Sequence, residues 1–312
     1  MPGQLTIPEQ PTAIDLIGDV AWDTHLTVPH LPTPGREARA TSRSRRLGGT
    51  AAQVARWLHL LAQAGLYPSA PPEIRLWTSL DATAVGELAF CDTSACALVA
   101  QIGEVFVLTE PDGEKAMISF VPPDLPLRPL PAQSTLFYLS AYTLLAPDAE
   151  RQIVGPCERL VKKGARMVFD LAPLVQHMDR QLLRRLVGLA YIALGNEEEW
   201  SYLFQARQNK AAAQAALALG AGSVYLKRGA KGSILFCANG SSAGTEAAPS
   251  VPVNTTGAGD AYTAAILAAF AAGRNDHWAL QLATYCGALQ TEQRADAENI
   301  AMLHSALVSL GK

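Results

Sequence analysis

Asn254-Thr255-Thr256-Gly257-Ala258-Gly259-Asp260 is a turn of small residues that ends in an acid. The run after it, Ala261-Tyr262-Thr263-Ala264-Ala265-Ile266-Leu267-Ala268-Ala269-Phe270, has the composition of a helix. Gly and Ala let bare backbone N–H groups approach a negatively charged ligand closely. A helix N-terminus adds unpaired donors and a positive dipole end at the same place. A carboxylate fixed there can take a proton from an approaching hydroxyl. An anion cradle beside a base is what phosphoryl transfer from a nucleotide to an alcohol requires. Gly-Ala-Gly-Asp in isolation would be read as a helix cap, so the rest of the chain has to carry the argument.

Upstream of this turn, strand and helix signals alternate. Strands are expected at 13–18, 73–77, 135–139, 166–169, 190–194, 223–226 and 233–236. Helices are expected at 49–64, 148–163, 179–188, 209–219, 259–272, 276–290 and 297–310. In the 49–64 segment Val54, Trp57, Leu58 and Leu61 recur at helical spacing, and Gly65 ends it. Such alternation predicts a mainly parallel sheet with helices on both faces. Two stretches break the rhythm. Residues 24–46 hold β-like pieces without a helix signal, and 105–120 reads as a hairpin turning at Pro111-Asp112-Gly113. Pro122 to Pro131 is proline-rich and predicts an irregular connection.

Composition narrows the function classes. The 312 residues are 49% hydrophobic and 17% charged, which suits a well-buried core. A net charge of −3 and a pI of about 6.1 argue against a general nucleic-acid binder. Cys91, Cys96, Cys157, Cys237 and Cys286 are scattered, with no C-x-x-C pair, so a reducing cytoplasm is expected rather than a disulfide framework or zinc site. The six histidines show no metal-like spacing. Met1–Pro8 lacks signal-peptide character, and no apolar run reaches membrane-spanning length.

The 254–260 stretch and its helix resemble the C-terminal motif of the ribokinase-like, or PfkB, carbohydrate kinase family, whose usual form is Asp-Thr-Thr-Gly-Ala-Gly-Asp. The resemblance implies a three-layer α/β/α sandwich, built on a mainly parallel, Rossmann-like sheet. One kinase domain would span 1–312, with a small β lid formed by about 24–46 and 105–120. It assigns Asp260 as the base and the N–H groups of Gly257, Ala258 and Gly259 as the anion hole, with Thr256 beside the nucleotide.

Four further stretches carry the resemblance. In Ile17-Gly18-Asp19-Val20-Ala21-Trp22-Asp23 an acid a few residues beyond a strand would hold sugar hydroxyls; Asp23 fits that position best and Asp19 nearly as well. Gly48-Gly49-Thr50-Ala51-Ala52-Gln53-Val54-Ala55 is similar to the family's Gly-Gly-Asn-Ala-Ala-Asn-Val-Ala, which places Gly48, Gly49 and Gln53 at the acceptor site. Asn196-Glu197-Glu198-Glu199 matches Asn-x-x-Glu, which implies that Asn196 and Glu199 face a hydrated Mg²⁺ on the nucleotide. Without the family, such an acidic run would be dipole-favoured capping. After the 223–226 strand, Lys227-Arg228-Gly229-Ala230-Lys231-Gly232 resembles Thr-x-Gly-x-x-Gly. Gly229 and Gly232 would shape a turn at the nucleotide. Lys227 would neutralise phosphate charge, or equally be a solvated strand end.

The implied partners are ATP, Mg²⁺ and a small sugar or polyol, with no nucleic acid or membrane, and with a homodimer formed through the lid. The departures are informative. Thr50 and Gln53 stand for two Asn, so the pocket must differ in shape. Asn254 replaces an Asp that helps bind an activating monovalent cation in many members, which argues against K⁺ activation. In Trp77–Gly86 only Gly86, and loosely Asp81, keep the family pattern. Arg36, Arg39, Arg43, Arg45 and Arg46 read as a solvated lid edge, or as a receptor for an anionic substrate. Trp22 could pack on a sugar face or in the core. A nucleoside kinase of the same fold, with Phe106 or Phe120 walling a base, and a non-catalytic binder are the competing readings.

Overall fold

The computed structural model describes residues 10–122, 125–126 and 130–311. Met1–Pro8 and much of the Pro122–Pro131 connection lie outside these residues. The chain runs β1 (Ala13–Ile17), β2 (Ala21–Thr27), β3 (Ser42–Gly48), α1 (Thr50–Gln63), β4 (Glu73–Trp77), β5 (Ser79–Leu80), α2 (Ala82–Glu87) and β6 (Ala97–Leu98). It continues with β7 (Gly103–Thr109), β8 (Lys115–Phe120), β9 (Leu136–Ser140), α3 (Gly155–Lys162), β10 (Arg166–Asp170), α4 (Arg180–Leu189), β11 (Ile192–Asn196) and α5 (Glu197–Phe204). It closes with α6 (Asn209–Leu219), β12 (Ser223–Lys227), β13 (Ser233–Cys237), β14 (Ser242–Thr245), α7 (Ala258–Ala271), α8 (Asp276–Thr291) and α9 (Asp296–Ser309).

Eight strands form the main sheet in the order β14-β13-β12-β11-β10-β9-β1-β4. From β12 to β4 the pairs are parallel, while β13 and β14 add an antiparallel edge. The strands are apolar on both faces, as a covered parallel sheet demands. Ile14, Leu16, Tyr138, Val168, Ile192 and Tyr225 pack into one core with α1, α7, α8 and α9. The alternate residues Ile17, Phe137, Leu139, Met167, Phe169 and Val224 face a second core with α3, α4, α5 and α6. The three-layer sandwich expected from sequence is the observed architecture.

A separate sheet, β3-β2-β7-β8, forms the lid-like element. It begins earlier than the sequence suggested. Ala21, Trp22 and Asp23 already belong to β2, so Asp23 projects from a lid strand. Its pairing decides which residues share Asp23's face. Asp23 lies opposite Arg46 and Val105, and Val105 opposite Ser119. Phe106 pairs with Thr24, and Phe120 with Glu104, so both aromatics occupy the other face. The expected aromatic wall for a nucleobase is therefore not on Asp23's side. Trp22 also turns away from that side. It is 5% exposed, donates to Asp81 at 2.7 Å and lies under the Arg45 guanidinium, so its role is packing rather than sugar contact. Arg36, Arg39, Arg43 and Arg45 are exposed, as a solvated edge should be. No helix among the described residues is long and apolar enough to cross a membrane.

Candidate active site

The parallel strands deliver their last residues to one edge of the sheet, where α/β folds place ligands. Asp19 follows β1, Asp170 ends β10, Asn196 ends β11 and Lys227 ends β12. Helix α7 starts over this edge. Gly257, its N-cap, has φ +81°, a left-handed conformation that a glycine adopts without strain. A Cβ there would also come within 3.1 Å of Gln290 Nε2.

The amide cradle differs from expectation in one member. The Ala258 N–H donates back to Thr255 O at 3.2 Å, closing the turn. Gly257, Gly259 and Asp260 N–H have no protein acceptor among the described residues, so these are the donors open to an anion. The Thr256 N–H is held by Asn254 Oδ1 at 3.0 Å. The Thr256 carbonyl accepts from Gln290 Nε2 at 3.1 Å, and Gln290 Oε1 accepts from the buried Trp57 indole at 3.0 Å. The loop is thus braced from α8 and α1.

Asp260 sits in the first turn of α7, partly exposed at the cleft, and accepts no hydrogen bond from a described residue. Burial raises its pKa well above the usual carboxylate range, and Asp170 adds to the rise; the Lys227 ammonium opposes it. Asp19 and Asp23 also press upward, which shows that acids from separate elements converge here. A base that holds its proton more tightly than an ordinary aspartate is a stronger acceptor for a hydroxyl proton.

Lys227 is not a solvated strand end. Its ammonium donates to Asp170 Oδ1 at 2.7 Å, and the side chain is 16% exposed. Burial disfavours its charge, but Asp170 and Glu199 more than offset this and hold its pKa above the usual lysine range. Asp170 also accepts from the buried Thr263 hydroxyl at 2.6 Å. Sequence reasoning missed Asp170, although an acid ending the apolar run Met167-Val168-Phe169 was the available signal. Gln290 gave no signal, since it reads as an ordinary helix residue.

On the acceptor side, Asp19 and Asp23 separate in role. Asp19 Oδ1 accepts from the Thr50 hydroxyl at 2.6 Å and the Thr50 N–H at 3.3 Å, so it caps the start of α1. Asp23 accepts no hydrogen bond from a described residue, and burial raises its pKa to about 6 despite the nearby Arg46. Gly48 makes room for it, because a Cβ there would lie 2.2 Å from Asp23 Oδ2. Gly49 caps α1, and Gln53 spends its amide N–H on Leu47 O at 2.9 Å.

Asn196 and Glu199 form a reciprocal capping box at the head of α5. Glu199 accepts from the Asn196 main-chain N–H and from its side-chain amide, each at 2.8 Å. No group of three or more His, Cys, Asp or Glu able to hold a metal occurs among the described residues. Gly229 is exposed at the turn after β12. Gly232 is buried, and a Cβ there would meet Thr245 O at 2.0 Å, so its close contact is with β14 and not with the cleft.

With this geometry the comparisons are decisive on family. The profile of the pfkB family carbohydrate kinases matches residues 93–301. The chain belongs to the pfkB family. That span holds Asp170, Asn196, Lys227 and the 254–260 loop, while the Gly48-Gly49 segment precedes it. Among solved structures, a ribokinase from Thermotoga maritima is 20% identical with a TM-score of 0.77, covering 95% of this chain and 99% of its own. Arabidopsis thaliana ribokinase, complexed with ribose and ATP, is 20% identical with a TM-score of 0.72 over 95% and 99%. A Burkholderia thailandensis nucleoside kinase in complex with inosine is 19% identical, with a TM-score of 0.73 over 94% and 97%. At these identities the likeness establishes the ribokinase-like fold. Comparison with curated proteins returned no match.

Proposed function

We propose that this pfkB-family kinase transfers the γ-phosphoryl group of ATP to a hydroxyl of a small carbohydrate or polyol. One observation carries the reading: Asp260, with a raised proton affinity, stands directly behind the unpaired amides at the head of α7. In this reading Asp23 receives acceptor hydroxyls and Asp260 takes the proton of the attacking one. The N–H groups of Gly257, Gly259 and Asp260 meet the migrating phosphoryl oxygens. Lys227, held by Asp170, adds fixed positive charge beside them. Asn196 and Glu199 would face Mg²⁺ bound to the nucleotide; when bound, that ion neutralises phosphate charge. Ribose and ATP in the Arabidopsis neighbour support this choice of ligands. A carbohydrate is favoured over a nucleoside because Phe106 and Phe120 lie off Asp23's face.

The test is ADP release with ATP, Mg²⁺ and a panel of sugars, polyols, sugar acids, sugar phosphates and nucleosides. A sugar or polyol should give the largest rate. ATP binding without acceptor-dependent ADP across the panel would leave a nucleotide-binding protein instead. We further infer a dimer through the lid, where Ile118, Phe120 and Val121 are 62%, 47% and 64% exposed. Sedimentation that gives a monomer at micromolar concentration would remove that inference.

A further inference from the structure

The lid reaches the amide loop directly at one point and through Gln293 at a second. Lys115, the first residue of β8, donates from Nζ to Asn254 Oδ1 at 2.6 Å. That same oxygen receives the Thr256 N–H. The Asn254 carbonyl accepts from Gln293 Nε2 at 3.3 Å, and Gln293 Oε1 accepts from Arg46 Nη1 of β3 at 2.7 Å. Both oxygens of Asn254 are therefore tied to lid strands. Lys115 lies in the lid sheet and Asn254 in the loop before α7, 139 positions away, so the contact depends on where the lid lies. Lys115 also pairs with Thr109 beside the hairpin turn, where a small tilt of the lid displaces it most.

We propose that Lys115 is a positioning residue, whose bond to Asn254 aligns the 254–259 loop only while the lid covers the cleft. The inference rests on the kinase reading above. Asn254 Oδ1 fixes the Thr256 N–H, and Thr256 precedes the left-handed Gly257 on which the direction of the open amides depends. An ammonium on that oxygen is a charge-assisted bond that restrains the Asn254 side chain. Without it, the side chain gains rotamers and the amides lose their common aim. Small misplacements of such donors are expensive in rate. Arg46 reinforces the same residue through Gln293. Burial and the Arg46 charge push the Lys115 pKa below its usual range, which accords with an ammonium drawn into the lid–body seam. The consequence is a coupling of acceptor enclosure to phosphoryl transfer. An open lid leaves ATP facing a loosened cradle, which protects it from reaction with water.

The test compares the full-length wild type with Lys115→Met, Lys115→Arg, Asn254→Ala and the Lys115→Met/Asn254→Ala double variant. The acceptor is whichever of D-ribose, D-fructose, D-gluconate, D-fructose 6-phosphate and inosine gives the fastest ADP release with Mg-ATP. Lys115→Met should lower kcat roughly tenfold while both KM values stay within about threefold, because the lost interaction acts on the transition state. Lys115→Arg, which keeps a charged donor, should recover most of that loss. The double variant should be no slower than the worse single one. A Lys115→Met protein with wild-type kcat, or losses that multiply in the double variant, would overturn this inference and leave the kinase reading standing. A wild type that yields no acceptor-dependent ADP would overturn the kinase reading, and this inference with it.

Discussion

Asp15 and Asp260 are both acids packed into the body of the protein, one fully buried and one partly exposed at the cleft, and the protein treats them in opposite ways. Asp15, in β1, is fully buried and fully answered. Arg75 donates to it through Nε and Nη2 at 2.9 and 2.8 Å, Trp77 through its indole at 2.8 Å, and Ser134 through its hydroxyl at 2.5 Å. Asp260, at the head of α7, accepts nothing from a described residue and is pressed upon by other acids. The first arrangement ties β1 to β4 and to the segment that leads into β9. The second leaves lone pairs and proton affinity in reserve for a ligand. A satisfied buried charge is structure, and an unsatisfied one at a cleft is capacity for chemistry.

Exchanging each acid for its amide should give the largest effects. Asp260→Asn should cut turnover by at least about a hundredfold while ATP affinity stays within a few-fold. A raised carboxylate pKa means that the folded state holds the proton more tightly than the unfolded chain. The stability this brings is present at low pH and declines as pH climbs from the ordinary carboxylate range towards the folded pKa. Asp260→Asn should flatten that decline and leave the protein no less stable at neutral pH. Unchanged turnover would remove Asp260 from its role. Asp15→Asn should do the reverse, losing about 2–3 kcal/mol in denaturant unfolding, since Arg75 keeps its charge and loses its counter-ion, with kcat near wild type.

A smaller effect is expected at Lys227. Its ammonium lowers the Asp260 pKa, so Lys227→Met should move the acid limb of the pH–rate profile to higher pH. A limb that stays in place would show that the lysine acts on phosphate alone. The smallest effect belongs to Asp23, whose pKa of about 6 makes it an intermediate case. Its stabilising share is complete below about pH 4 and is lost as pH rises to about 6. Asp23→Asn should flatten that narrow window in thermal melts, and Asp23→Ala should raise KM for the acceptor far more than for ATP. Equal changes in both KM values would take Asp23 out of the acceptor site.

Much of this was legible in the order of residues. The alternation of apolar runs with helical periodicities fixed the layers, and most strands and helices lie within a residue or two of their expected places. Gly257 to Asp260 and Asn196 to Glu199 are local patterns, each set by backbone conformation or by contacts three or four residues apart, so a sequence displays them directly. Asp170, Gln290 and the Lys115–Asn254 bond are not local. Each depends on sheet register and helix packing that bring residues dozens to well over a hundred positions apart to one edge. Register also decided that Asp23 looks into the cleft while Phe106 and Phe120 look away, because side chains along a strand alternate and a single step reverses their direction. The order of residues is enough for the sandwich and the amide turn; which acids are answered follows from long-range packing, since hydrogen-bond partners that satisfy a buried charge come from elements the chain order does not place side by side.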